Sequence, residues 1–128
     1  MDWQHILRLA RNMGASDVHL STGEPPWLRL DGRMLRLQAF EAQASNSTVR
    51  AEDITHILSS LQVSPAFHHV DFAMTLPDLG RFRVNAFQQA RGPSLVFRLI
   101  TDTPASLDDL QAPACLQSWA TQSSGLIL

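Results

Sequence analysis

The chain has 128 residues, 45% of them hydrophobic, which is enough for one domain with a proper core. A net charge of −2 and a pI near 6.2 argue against a general nucleic-acid binder. All ten basic residues are arginines, and without a lysine no Walker-type nucleotide site lies within these residues. The mean hydropathy is −0.06, and no apolar run approaches the ~18 residues needed to cross a bilayer. Met1 to His5 lacks the basic start and apolar core of a signal peptide, so a cytoplasmic location is the expectation. Cys115 stands alone among apolar neighbours and is expected to be a buried, inert thiol.

In chain order, Asp2 to Met13 reads as an amphipathic helix, with Trp3, Ile6, Leu7, Ala10 and Met13 at helical spacing. Asp2 suits the N-cap, and Gly14 sits where a helix ends in left-handed geometry. Ala15 to Ser21 is a short strand with Asp17 and His19 on one side, Val18 and Leu20 on the other. Two prolines make Thr22 to Pro26 a loop. Trp27 to Leu30 and Arg33 to Leu37 form a hairpin across Asp31-Gly32. Gln38 to Arg50 is polar and weakly patterned, hence a connector. Ala51 to Leu61 is a second helix with Ile54, Ile57, Leu58 and Leu61 as its buried stripe. Ser64-Pro65 resembles a cap followed by proline at the first helical position, which predicts a short helical segment from Pro65 to Val70.

Asp71 to Ile100 reads as three strands joined by two tight turns, Pro77–Gly80 and Ala90–Pro93. Phe72, Met74 and Leu76 share one face of the first; Phe82, Val84 and Ala86 one face of the second; Leu95, Phe97 and Leu99 one face of the third. Arg81, Arg83 and Arg98 fall on the opposite faces and can lie together if the register allows. Such arginines ordinarily mark a solvated sheet face; their planar forks also suit phosphates and carboxylates. Ser106 can cap a helical turn by accepting from the Asp109 amide. Pro113 to Ala120 is a short helix with Leu116 and Trp119 expected inward, and Thr121 to Ser124 a polar linker. Gly125 to Leu128 looks like the start of a buried strand, so Leu128 is expected to be a truncation boundary before a parallel-sheet domain. Asp17, His19, His68, His69 and Asp71 invite a metal reading, but no HxxxH or Cys/His ligand spacing is present and no metal is expected. The roles of these histidines stay open. No GxSxG elbow supports a serine hydrolase.

Three patches carry a family resemblance. They are Gly14–Ser21 (GASDVHLS) with Gly23, Pro25-Pro26 and Arg29–Gly32; Gly80–Gly92 (GRFRVNAFQQARG) followed by Val96–Ile100 (VFRLI); and Gly125–Leu128 (GLIL). Together they resemble the N-terminal domain of the PilT-type ATPases, the twitching-motility motors that retract type IV pili. The resemblance implies an α+β fold: a PAS-like antiparallel sheet of five to six strands with helices mainly on one face. It places that domain at residues 1–120, with 121–128 leading into a missing P-loop domain. It implies ATP and Mg²⁺ in the parent, and no ATPase activity in these residues alone. Arg83 and Arg98, with Arg81 as a weaker third, match arginines that reach toward ATP phosphates. The implied partners are the P-loop domains of the same and neighbouring subunits of a homo-hexamer and the pilus platform protein, reached peripherally at the inner membrane. Neither nucleic acid nor membrane insertion is implied. A stand-alone PAS-like ligand-binding or adaptor module is the alternative, and a retraction motor, an accessory ATPase and a secretion ATPase are not separable from these residues.

Overall fold

A computed structural model describes residues 1–37, 48–64, 66–101 and 103–126. Helix α1 spans Trp3–Asn12, and the Asp2 side chain accepts a hydrogen bond from the His5 amide at 3.0 Å. Gly14, at φ +72°, supplies the left-handed step out of the helix. Strands β1 (Asp17–Ser21), β2 (Trp27–Leu30) and β3 (Arg33–Arg36) follow. The β2–β3 turn has positive φ at both Asp31 and Gly32, the type I′ requirement that makes this dipeptide a hairpin signal. Helix α2 covers Ala51–Ser60, and β4 (His69–Leu76), β5 (Gly80–Gln89) and β6 (Gly92–Ile100) form the long meander. Helix α3 is Cys115–Ala120.

The sheet is six-stranded and wholly antiparallel, in the order β3-β2-β1-β6-β5-β4. The two halves of the chain meet where β1 pairs with β6, with Val18 opposite Phe97 and Leu20 opposite Leu95. One face of the sheet carries Val18, Leu20, Leu28, Phe82, Val84, Ala86, Leu95 and Phe97, all buried. Trp3, Ile6, Leu7 and Ala10 of α1 and Ile54, Ile57 and Leu58 of α2 close over it. The expected α+β arrangement, with helices on one face, is what the residues build.

Three expectations fail. His69 and Val70 are strand, paired with Phe87 and Ala86, and Ala66–His68 is not helical. The local cap signal survives only as a hydrogen bond from the Ala66 amide to the Ser64 hydroxyl, because backbone pairing with β5 satisfies more groups than one helical turn would. Leu116 and Trp119 are exposed rather than inward, and no residue of α3 is buried. Cys115 is likewise exposed. The core is already filled by α1 and α2, so α3 finds no free apolar face. The Ser106 turn, by contrast, forms as read, with Ser106 Oγ accepting from the Asp109 amide while Asp109 accepts from the Ser106 amide. Most of the connector expected at 38–50, and the strand expected at the C-terminus beyond Leu126, lie outside the described residues.

Candidate functional site

The uncovered face of the sheet is fixed by the same alternation that builds the core. Each strand that turns an apolar residue toward the helices turns its neighbour outward. The register then sets one rung across the sheet: Arg29 of β2, Asp17 of β1, Arg98 of β6 and Arg83 of β5, each opposite the next. A second rung runs Trp27, His19, Val96, Asn85, Asp71. Arg81 lies two residues from Arg83 on the same face, opposite Thr75 and Ile100. Arg81, Arg83 and Arg98 are therefore brought onto one surface, as the alternation allowed.

Arg83 and Arg98 stand directly opposite each other, a like-charge pair that by itself destabilises a sheet. A carboxylate offsets each charge. Arg83 Nε and Nη2 donate to the two oxygens of Asp71 at 3.0 and 2.9 Å. Arg98 Nε donates to Asp17 Oδ1 at 3.0 Å. Asp17 also accepts from the Ser16 hydroxyl at 2.8 Å, and Arg29 Nε lies 3.4 Å from its other oxygen. Asp17 is 4% exposed, whereas the Arg98 side chain is 67% exposed. The acid is thus the buried anchor and the arginine the exposed arm. Asp17, Asp71, Arg83, Asn85, Val96 and Arg98 line a shallow depression of about 400 Å³.

The charges tune one another. Burial alone would raise the Asp17 carboxyl, but hydrogen bonds from Arg98 and Ser16 and the Arg98 charge outweigh it and hold the carboxyl below its ordinary value. The Asp71 carboxyl is lowered chiefly by the Arg83 hydrogen bond. Burial pushes the His19 imidazole down, reinforced by Arg29 and Arg98 and opposed by Asp17; its Nε2 is buried with no hydrogen-bond partner. Both Asp17 and His19 have folded values below their unfolded ones, so their contributions to stability are present at high pH and lost on acidification. Thermal unfolding against pH is expected to lose stability first as pH falls through the ordinary histidine range, where the unfolded chain takes a proton that folded His19 resists, and again through the ordinary carboxylate range, where the same holds for Asp17. His19→Gln should remove the first loss and leave the second. An unchanged profile in that variant would refute the assignment.

The metal-like cluster does not converge. Asp17 and His19 sit on β1 and His69 and Asp71 on β4, with β6 and β5 between them. His69 Nε2 contacts Asn85 Nδ2 at 2.8 Å, and His68 is exposed in the turn before β4. No group of three potential metal ligands occurs among the described residues. The role of Asp71 as partner of Arg83, and of Arg29 and Asn85 beside them, was not read from the sequence. The Asp71 contact had a signal: two alternating strands joined by the Pro77–Gly80 turn fix a register that brings Asp71 opposite Asn85, diagonal to Arg83.

No family model matches the chain. It is 32% identical, over all of its length, to the type IV pilus retraction ATPase PilT of Pseudomonas aeruginosa, covering 37% of that protein. It is 35% identical over 109 residues to a twitching motility protein of Neisseria gonorrhoeae, which spans 80% of this chain and 27% of that protein. The type IV pilus ATPase PilU of Pseudomonas aeruginosa is 28% identical over the whole chain. Among solved structures, the pilus retraction motor PilT with bound ADP superposes with a TM-score of 0.70 at 25% identity, over 92% of this chain and 34% of that one. The Legionella pneumophila ATPase DotB shares the fold, with a TM-score of 0.66 at 22% identity, over 96% of this chain and 35% of that one. The chain spans about a third of the length of the relatives it matches.

Proposed function

Because this chain is a homologue of the N-terminal region of PilT-type secretion ATPases, we propose that it works as the N-terminal domain of a type IV pilus retraction motor. In this reading a P-loop domain follows in the same polypeptide, and the parent is a hexamer using ATP and Mg²⁺. The domain packs on P-loop domains of its own and neighbouring subunits, at the cytoplasmic side of the inner membrane beside the pilus platform protein. No helix among the described residues is long and apolar enough to cross a membrane.

The observation that carries the reading is the arginine rung on the uncovered sheet face. Arg83 and Arg98 are exposed, adjacent and each anchored, while these residues contain no phosphate cradle or lysine of their own. Phosphoryl transfer needs positive charge where the γ-phosphate departs. An arginine carried by a separate domain supplies that charge only when the domains close, which couples chemistry to motion. Arg81 has no ion-pair partner among the described residues and stands as the third candidate.

The test is the coding sequence past Leu128. The expected result is a strand running into GxxxxGK[ST] within about ten residues, the loop that cradles phosphates. A stop codon there would overturn the motor reading and leave a stand-alone module.

A further inference from the structure

We propose that Asp17 and Asp71 are positioning residues that convert Arg98 and Arg83 into a paired clamp for clustered phosphate oxygens. This rests on the domain reading above and assigns a role to the two acids.

Two arginines facing each other on neighbouring strands repel, and free side chains would splay apart. Each is held by an acid on the strand beyond it, Asp17 on β1 for Arg98 and Asp71 on β4 for Arg83, so the two forks are fixed on opposite sides of the depression. Arg98 donates to Asp17 through Nε, and Arg83 donates to Asp71 through Nε and one edge of Nη2. Arg98, gripped at Nε, keeps its terminal N–H groups free, Arg83 keeps Nη1 and one N–H of Nη2, and neither arginine donates to any other described residue. The forks are thus fixed in direction with most donors unspent, over a depression floored by Val96 and flanked by the Asn85 amide. With Arg29 also on the rung, three guanidiniums face two carboxylates, so the site keeps a positive excess. Planar forks of fixed direction on either side of the depression match phosphate oxygens better than point charges do. The anchoring differs between the two acids. Asp17 is almost fully buried and cannot follow a moving arginine, whereas the Asp71 side chain is 32% exposed.

The proposal predicts an effect opposite in sign to plain electrostatics. Removing a negative charge beside an anion site should tighten binding; removing a positioning carboxylate should weaken it. The probe is inorganic triphosphate, titrated into the 128-residue chain and followed by the arginine Nε–Hε resonances in NMR. Wild type should shift at Arg83 and Arg98. Asp71→Asn should bind about tenfold more weakly, the scale of one charge-assisted hydrogen bond lost from the oriented fork, with an unchanged unfolding midpoint. Asp71→Glu, which keeps charge and acceptor, should recover part of the loss. Asp17→Asn should behave as Asp71→Asn does; if it fails to fold, the Asp71 pair decides alone. Equal or tighter binding by Asp71→Asn overturns the proposal. So does a wild type silent to triphosphate, or one that binds a glutamate peptide of equal charge as tightly. A longer gene lacking a P-loop would refute the motor reading yet leave this binding result standing, so the two failures are distinguishable.

Discussion

Replacing Arg83 by alanine in the full-length protein is expected to lower ATP turnover by on the order of 10²-fold or more, the loss typical of removing one charge-stabilising group from a phosphoryl-transfer site. The fold should survive the change. Arg83 and Asp71 form an exposed pair, and such pairs contribute roughly 0–1 kcal/mol. Arg98→Ala should cost as much activity and more stability, because it leaves the buried Asp17 with only Ser16 and Arg29. Comparing kcat with the unfolding midpoint separates the two effects, and Arg83→Ala is the cleaner variant. Turnover near wild type in both variants would remove these arginines from the chemistry. Arg81 gives the internal control: it shares the face but has no anchoring acid among the described residues, so its alanine variant should lose less.

Phe97→Ala is expected to destabilise the domain by about 3–5 kcal/mol, measured as a shift in the urea midpoint at constant slope. Phe97 is fully buried at the centre of the sheet, between Val18 of β1 and Val84 of β5. Its ring stacks on Trp3 at 5.9 Å between centroids and meets Phe82 edge-on at 6.4 Å. Truncating it opens a cavity beneath α1 at the seam where β1 joins the meander. The surrounding β-sheet backbone cannot collapse to fill that cavity. A loss below about 1 kcal/mol would mean that the seam repacks, contrary to the geometry. The same residue lies one position from Arg98, so a loosened seam should also blur the rung.

The elements of this fold were legible because their signals are short-range. Alternation at Arg81–Gln88, the Asp31-Gly32 turn and the Asp2 cap each act over two to four residues, and each formed where it was read. The failures share a different cause. Ser64-Pro65 is a sound local helix signal, yet His69 and Val70 joined β5, and Leu116 and Trp119 have helical spacing but found no apolar surface left uncovered. In both places the competition was settled by an element distant in sequence.

The candidate site divides along the same line. By itself the amino-acid sequence determined that Arg81, Arg83 and Arg98 point away from the core, because period-2 alternation admits no other assignment once Phe82, Val84 and Phe97 are buried. Only the tertiary structure decided which acid holds which arginine. Asp17 and Arg98 are 81 residues apart and meet solely because β1 inserts beside β6, with Asp17 and Arg98 in register. Cross-strand partners are set by register between distant strands, and register is the sum of all the pairings in the sheet rather than a property of any one of them.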